Sequence, residues 1–300
     1  MKPKLQLITM LSYNEGSVNT FISPSKNVII SVSDDKSIII FSDFDYKILQ
    51  KIENAHDGII FDISLKDENN FATCSGDRAI KTWTKSGNNK YVCNKLIDDA
   101  HDDDIHKIEY LKDNTIISGS KDTTIKIFNL INNNYACSLI LNNSVRVYSL
   151  IYIEEKNILM SAGTQCTIFW NLSNVLNPFI TLIRAFCHGK NAFQILDKER
   201  VVIGGREQIQ IISIDEKKII KEIDTEFLVW TICVIKDKNI FICGGVSPNF
   251  EIYNSDTYEN LGIFKNCHSG NLRGNYLLKN GKIISGSEDK KTKIWEIFFE

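Results

Sequence analysis

Apolar and polar residues alternate along this chain in short runs, and residues 56–97 show the pattern clearly. Four runs in this unit are rich in β-branched and aromatic residues: 59–65, 71–75, 79–84 and 91–97. Polar segments separate them at 66–70, 76–78 and 85–89. Such runs predict four short β-strands joined by turns in an antiparallel meander, and Gly76 is expected to supply a positive φ in the second turn. Because no 3.6-residue period persists beyond two turns, the sequence predicts almost no helix.

One short phrase recurs seven times along the chain, in some copies clean and in others degraded: Ser-Gly-Ser-x-Asp, then alternating apolar residues, then a bulky residue. Its cleanest copies begin at Ser118 and Ser285. The bulky position of the successive copies is occupied by Phe41, Trp83, Phe128, Trp170, Ile212, Tyr253 and Trp295. A nearly constant period of about 42 residues with strand-like content predicts a β-propeller with one blade for each repeat.

The 300 residues suffice for one closed ring, so we expect a single propeller domain spanning residues 1–300. The expected blade repeats are 12–53, 54–98, 99–141, 142–184, 185–224, 225–265, and 266–300 together with 4–11. After Trp295 too few residues remain for a fourth strand, whereas Leu5 to Leu11 form a spare strand at the start. We therefore predict that the N-terminal strand becomes the outer strand of the last blade, since an open blade would leave an unpaired edge.

Histidine, aspartate and an aromatic residue recur at fixed spacings. His56 and Asp77, His101 and Asp122, and His268 and Asp289 are each 21 residues apart, and an aromatic residue follows each Asp after six. Polar groups buried near the core of a thin blade need partners, and a Trp–Ser–His–Asp chain of hydrogen bonds can supply them. Two complete sets are predicted: His56, Ser75, Asp77 and Trp83, and His268, Ser287, Asp289 and Trp295. Repeat three has His101, Ser120 and Asp122 but ends in Phe128, which cannot donate.

These spacings resemble the WD40 repeat family over essentially the whole chain, from Leu5 to Phe299. The resemblance implies an all-β, seven-bladed propeller of four-stranded antiparallel blades, closed by its N-terminal strand. It also implies a rigid platform for partner proteins. The same Ser, His and Asp residues could suggest a hydrolase, but each Ser lies inside a strand and not in a strained Gly-x-Ser-x-Gly turn.

Repeats four, five and six depart from the pattern at the turn position where the family has Asp. Thr164, Arg206 and Ser247 occupy it, while Asn143 lies near the His position of repeat four and His188 belongs to repeat five. We expect these blades to depend on apolar packing and to open more readily than blades two, three and seven.

The net charge of −2 gives no support to a chain-wide basic surface for nucleic acid. No apolar run approaches the roughly 20 residues of a membrane span, and the N-terminus lacks the features of a secretion signal. We expect a location in the cytosol or nucleus, with the eight cysteines reduced. Because there is no Cys-x2-Cys pair, structural zinc is not expected. No metal ligand set and no cofactor are predicted from the sequence.

The WD40 resemblance implies that residues at the start of each first strand line one face of the disc near the central channel, where partners dock. Read this way, the candidate partner-binding residues are Phe61, His106, Arg146, Tyr148, Phe193, Trp230 and Arg273. Aromatic and Arg side chains are frequent anchors of protein interfaces. The alternative is that the aromatic rings pack between neighbouring blades.

The most concentrated charge is the acidic run from Asp98 to His106. A solvated loop, an acidic patch for a basic partner, and a metal site all remain open for it, although consecutive loop residues rarely converge on one ion.

The function predicted is that of a non-catalytic scaffold or adaptor, monomeric within a larger complex, which binds other proteins or peptides without membrane or specific nucleic-acid contacts. A reader of peptide or histone marks and a substrate receptor of a ubiquitin ligase are the alternatives within this class. An enzyme with a site at the channel mouth is the alternative outside it.

Overall fold

The computed structural model describes residues 2–87, 90–174 and 176–300. Its strands form seven four-stranded antiparallel sheets, which are the blades of a propeller. The first strand of each blade contacts the first strand of both neighbouring blades, and these contacts close into a ring around a central channel. The predicted fold class is therefore confirmed.

The strands are numbered along the chain, four to a blade. Blades one and two contain β2 Val18–Ser25, β3 Val28–Ser33, β4 Ile38–Ser42, β5 Ile48–Ile52, β6 Ile60–Asp67, β7 Asn70–Ser75, β8 Ile80–Gly87 and β9 Lys90–Ile97. Blades three and four contain β10 Ile105–Tyr110, β11 Ile116–Ser120, β12 Thr124–Ile131, β13 Asn134–Asn142, β14 Ser149–Ile153, β15 Ile158–Ala162, β16 Thr167–Asn171 and β17 Phe179–Ile183. Blades five and six contain β18 Phe193–Ile195, β19 Arg200–Gly204, β20 Gln208–Ser213, β21 Lys218–Asp224, β22 Val229–Ile235, β23 Ile240–Gly245, β24 Ser247–Asn254 and β25 Asn260–Phe264. Blade seven contains β26 Leu272–Leu277, β27 Ile283–Ser287, β28 Thr292–Phe299 and the N-terminal β1 Pro3–Leu11.

Helix is almost absent from the described residues, as the sequence predicts. Two single 3₁₀ turns, Glu154–Lys156 and Lys236–Lys238, connect the first and second strands of blades four and six. Within the part of the chain that the structure describes, no helix has the length and hydropathy of a membrane span.

The N-terminal strand closes the ring in the predicted way. β1 pairs antiparallel with β28 and is the outermost strand of the seventh sheet, with Pro3 opposite Phe299 and Leu11 opposite Thr292. The two ends of the chain therefore share one sheet, so that the last blade has no missing strand and the ring is fastened by backbone hydrogen bonds.

Two local predictions for blade two need correction. The expected turn 85–89 is shorter, because β8 continues to Gly87, which pairs with Lys90; Asn88 and Asn89 lie outside the described residues. In the turn after β7, the residue with positive φ is Arg78, at 69°, and not Gly76.

Close packing between blades explains several of the recurrent glycines. A Cβ atom on Gly119 would lie 2.4 Å from Cγ1 of Val147, and one on Gly286 would lie 2.6 Å from the carbonyl oxygen of Val18. Val147 and Val18 each precede or begin the first strand of the next blade, so a glycine lets that strand approach. Apolar side chains fill the remaining space between neighbouring blades.

Candidate interaction site at the channel mouth

In blades two, three and seven, a His–Asp contact ties the loop before the first strand to the turn between the second and third strands. Nδ1 of His56 lies 2.8 Å from Oδ2 of Asp77, and the matching distances are 2.8 Å for His101 and Asp122 and 2.9 Å for His268 and Asp289. Each carboxylate also accepts backbone N–H groups from both segments, for example those of Asp102 and Thr124 on Asp122. One carboxylate thus fixes two loops.

The hydroxyl in these networks is not the one that the sequence predicts. In blade two, Thr73 and not Ser75 accepts from the Trp83 indole at 2.9 Å and lies 2.8 Å from Nε2 of His56. Ser285 replaces Ser287 in the same way, between Trp295 and His268. In blade three, the hydroxyl beside His101 belongs to Ser118 and not to Ser120.

The register of the strands explains this correction. Trp83 pairs with Phe71, so that Thr73 is its diagonal neighbour on the same side of the sheet, while Ser75 lies roughly 7 Å further along the strand. The hydroxyl of Ser75 instead accepts the backbone N–H of Asp77 within the turn. Ser287 does the same for Asp289.

The networks have every donor matched when the histidine is neutral. In blades two and seven the indole N–H donates to the hydroxyl; in all three blades the hydroxyl donates to Nε2 and an Nδ1–H donates to the carboxylate. Burial lowers the pKa values of His101 and His268, although the neighbouring carboxylates oppose the shift. Hydrogen bonds from the histidines hold the pKa values of Asp122 and Asp289 well below their usual range, despite the opposing effect of burial.

Blade four retains a shorter network without a titratable group. The indole N–H of Trp170 donates to Ser161 at 2.8 Å, and the Ser161 hydroxyl donates to Oδ1 of Asn143 at 2.5 Å. The side-chain amide of Asn143 donates to the carbonyl oxygen of Val145 within its own loop. Asn143 therefore has the place of the histidine but does not bind the turn at Thr164.

Blade five departs furthest from the common plan. The chain between Arg184 and Lys190 is not part of any strand, and residues 188–192, which we call the plug, enter the mouth of the central channel. The backbone of Asn191 forms a bridge with Thr231 of blade six, and the carbonyl oxygen of Lys190 accepts from the Ser149 hydroxyl of blade four at 2.9 Å. The plug is thus held by both neighbouring blades.

The plug also reaches the far side of the channel. The side-chain amide of Asn191 donates to the carbonyl oxygen of Asn19, in blade one, at 3.0 Å. Nζ of Lys190 lies 3.3 Å from the ring centroid of Phe61, in blade two, which is a cation–π contact. Asn191 lines both the cavity at the mouth and the cavity inside the channel, and therefore separates the two.

Phe193 is the one candidate partner-binding residue that the structure places elsewhere. It is 2% exposed and packs in the apolar core between blades, so it is not available at the mouth. The sequence prediction looked for two apolar residues three positions apart at the start of each first strand and took the residue after the first one; Ala192 and Ile195 fit this pattern, so Phe193 was selected. The 42-residue period counted from Tyr148 indicates Lys190 instead, and this is the residue found at the mouth.

The other aromatic candidates form an arc across blades two to four. The rings of Phe61 and His106 meet edge to face with centroids 5.0 Å apart, and those of His106 and Tyr148 stack at 5.0 Å. On the opposite side of the mouth, the guanidinium of Arg273 lies 4.7 Å from the Trp230 ring and pairs with Glu288. Arg146 is exposed and contributes positive charge near His106. The two sides of the mouth thus each combine aromatic rings with cations.

Between these side chains lies a cavity of about 250 Å³. Its lining residues are Asn19, His106, Tyr148, His188, Gly189, Lys190, Asn191, Trp230 and Arg273. Burial, with a smaller contribution from Arg273, lowers the pKa of Lys190 to about 7. Burial and the charge of Lys190 lower the pKa of His106 to about 3. At the mouth, the positive charge of one basic group therefore disfavours the protonated form of the next.

A second polar cluster, which sequence reasoning missed, lies within the channel. Nζ of Lys107 is 3.0 Å from Oδ2 of the buried Asp62, and Asp62 also accepts the backbone N–H of Ile108. Burial raises the pKa of the neighbouring Glu109 to about 7. Alternation places these side chains on the channel side of β6 and β10, but only the ring geometry brings the two strands together.

The residues of the acidic run from Asp98 to His106 have different partners. His101 belongs to its blade network, Asp99 pairs with Arg78 at 2.7 Å, and Asp103 and Asp104 lie near Lys121. Among the residues that the structure describes, no group of three or more His, Cys, Asp or Glu side chains is arranged to hold a metal ion.

Comparison with known proteins agrees with this architecture. The WD40 family model, described as WD domain, G-beta repeat, matches residues 92–129, which contain most of blade three. The chain is also similar to Lissencephaly-1 homolog 1 of Paramecium tetraurelia, with 40% identity over 83 residues. That match covers 27% of this chain and 20% of the relative, about a fifth of its length. Taken with the seven blades and their His–Asp networks, these matches support a WD40 repeat protein.

Proposed function

We propose that this protein is a non-catalytic interaction scaffold, an adaptor subunit that docks a partner peptide at the mouth of its propeller. The candidate contact residues are Phe61, His106, Arg146, Tyr148, Trp230 and Arg273, with Lys190 in place of Phe193. The seven blades would act as one domain, monomeric within a larger complex in the cytosol or nucleus.

The observation that carries this proposal is the cavity at the mouth, which lies between partly exposed Tyr148, Trp230 and Arg273. Trp, Tyr and Arg are the residue types that most often dominate binding energy at protein interfaces. Small concave sites with aromatic walls and a few polar groups are also the usual form of a peptide-binding pocket. WD40 propellers generally serve as protein-interaction domains, which supports the same assignment.

A reader of methylated lysine is less well supported than a general peptide platform. Such a reader needs open aromatic faces for the ligand cation. In this propeller the faces of Phe61 and Trp230 are already covered by the protein's own Lys190 and Arg273. A cationic ligand would have to displace these groups and would be repelled by their charge.

Affinity purification from the native cell tests the proposal with two matched variants. Trp230→Ala combined with Tyr148→Ala removes both aromatic walls, and Phe44→Ala removes an aromatic ring that is 89% exposed in a turn at the other end of blade one. We expect the double variant to lose specific partners at least tenfold and Phe44→Ala to retain them. Partners that remain on a folded double variant would overturn the proposed site.

The non-catalytic assignment needs a separate measurement. A turnover screen with hydrolase substrates is expected to give no activity that depends on His106. Robust turnover that His106→Ala abolishes would instead favour an enzyme with its site at the mouth.

A further inference from the structure

The mouth cavity contains an unusual concentration of unsatisfied polar atoms. Among the described residues, six buried side-chain nitrogen or oxygen atoms have no hydrogen-bond partner, and three of them belong to residues that line this cavity: Nδ1 of His106, Nδ1 of His188 and Nε of Arg273. His106 is only 6% exposed. Buried polar groups in native proteins are almost always paired with protein or with ordered water, so these three atoms make the cavity a place where a polar ligand could form hydrogen bonds.

The charges around the cavity indicate the sign of that ligand. Lys121 lies 3.4 Å from Asp103 and 3.6 Å from Asp104, and Arg273 pairs with Glu288, so these charges offset one another. Within the described ranges, neither Lys190 nor Arg146 forms an ion pair. Two other carboxylates act on Lys190 and already have partners: Asp34 accepts from the side-chain amide of Asn19 at 2.8 Å, and Asp62 pairs with Lys107. The balance at the mouth is positive.

The surroundings of Lys190, in the plug, also favour an anionic ligand. Its ammonium rests on the Phe61 ring, a weaker partner than an oxyanion, and its pKa is lowered by burial and by Arg273. In blade five, Arg206 also occupies the turn position where blades two, three and seven have Asp, and burial together with the charge of Arg206 lowers the pKa of His188. Both features favour an anion that would relieve the repulsion between cations.

We infer that the mouth cavity binds a carboxylate side chain of an acidic partner peptide, with Lys190 and Arg273 as the charged donors and His106 as a further polar contact. This inference rests on the proposed docking function and specifies its ligand. A carboxylate would supply a counter-charge to Lys190 and an acceptor for Nε of Arg273, the part of that guanidinium that has no hydrogen-bond partner although Arg273 pairs with Glu288. Asn191, which donates to the carbonyl oxygen of Asn19 across the channel, is part of the lining of the same cavity.

The test is a selection of random peptides displayed on phage against the full chain, followed by affinity measurement with synthetic peptides. We expect the selected peptides to share Asp or Glu at one position, and its replacement by the corresponding amide to weaken binding at least tenfold. Lys190→Met should also cause at least a tenfold loss, and Lys190→Arg should retain most of the affinity. Phe44→Ala should bind like the wild type.

The outcomes separate the two proposals. Selected peptides without an acidic position that still lose binding on Trp230→Ala would overturn the carboxylate inference and leave the docking function standing. Peptides that bind Lys190→Met and Trp230→Ala as well as the wild type would overturn both. A phosphoserine peptide that binds at least tenfold more tightly than the Glu peptide would replace the carboxylate by a phosphorylated side chain. Circular dichroism melting of each variant establishes that it is folded.

Discussion

Blades two, three and seven differ from blades four, five and six in how their loops are held. In the first group, a half-buried carboxylate joins the loop before the first strand to the turn after the second. In the second group that carboxylate is absent, and one continuous apolar cluster runs through all three blades, from Ile151 to Tyr253. Hydrogen-bonded ties are directional and fix a loop in one place, whereas apolar packing stabilises the sheets without specifying the path of the loops.

The difference shows where a repeat protein can acquire a specific site. The tied loops of blades two, three and seven follow nearly the same path in each blade. In blade five, where Arg206 replaces the aspartate, the chain leaves that path and residues 188–192 enter the channel mouth. Loss of a structural tie in one blade is thus associated with the local structure that distinguishes this propeller at its mouth.

The largest effect should follow from opening the ring at blade seven. Deleting residues 1–12 removes β1 and leaves β28 with an unpaired edge, so a single cooperative unfolding transition is expected to disappear. Calorimetry and urea unfolding measure this change. Addition of a synthetic peptide of residues 2–12 should restore the transition, and an unchanged melting curve for the truncated chain would contradict ring closure.

Next in size should be a substitution inside the plug. A Cβ atom on Gly189 would lie 2.1 Å from the carbonyl oxygen of Trp230, so Gly189→Ala is expected to destabilise the fold by about 2–4 kcal/mol. Gly262, in the outer strand of blade six, is the matched control because its new Cβ would approach nothing closer than 3.9 Å. Equal midpoints of urea unfolding for the two variants would show that the plug is not closely packed.

A pair of turn substitutions compares the two groups of blades directly. Asp122→Ala removes the acceptor of His101 and of two backbone N–H groups at a side chain that is 7% exposed, and should cost about 2–4 kcal/mol. Thr164→Ala, at the corresponding turn of blade four, should cost less than about 0.5 kcal/mol. Chemical denaturation of both variants measures the difference, and similar losses would argue that the carboxylate ties contribute little.

Native-state hydrogen exchange should resolve the same difference without a mutation. Amides in residues 190–255 are expected to exchange faster than those in blades two, three and seven, because their loops lack the carboxylate ties. Exchange measured by mass spectrometry at fixed pH tests this. Equal or greater protection of residues 190–255 would mean that the apolar cluster alone holds these blades as firmly.

The smallest effect should be the dependence on pH of one network. Since the pKa of His101 is lowered in the fold, the unfolded chain binds more protons once the pH falls below the ordinary histidine pKa of about 6.5. The stability that His101 contributes is therefore full above that pH and decreases as the pH falls towards 5. Below about pH 4, protonation of Asp122, whose pKa is also lowered in the fold, removes a further part.

His101→Asn supplies the comparison for that measurement, because blade four has Asn143 at this place without a titrating ring. The free energy difference between wild type and His101→Asn should shrink as the pH is lowered from 7.5 to 5. Glu109 has an opposite effect on stability, because its raised pKa makes the folded protein bind more protons in this pH range. Glu109 is present in both proteins, so its contribution cancels when the two unfolding free energies are subtracted. A difference that is constant with pH would show that His101 keeps an ordinary pKa in the fold.

The residues that line the channel mouth were only partly predictable from the sequence. Tyr148, Trp230 and Arg273 were found from the repeat alignment, because each follows an apolar residue at or just before the start of a first strand. Lys190 was missed and the buried Phe193 was selected, because the chain of blade five reaches its first strand through the irregular plug. The network hydroxyls were placed two residues too far along for a related reason: the choice between Thr73 and Ser75 depends on cross-strand register, which a spacing within one strand does not contain.

The sequence by itself determined the number of blades, the closure by β1 and the pairing of each histidine with its aspartate. These features depend on a two-residue alternation and on a fixed period, both of which can be read along the chain. Only the tertiary structure decided what meets at the channel mouth, where Asn191 bonds to Asn19 and Lys190 rests on Phe61. Those partners lie in blades that are not neighbours, and they come together because the closed ring brings the starts of all seven first strands around one axis.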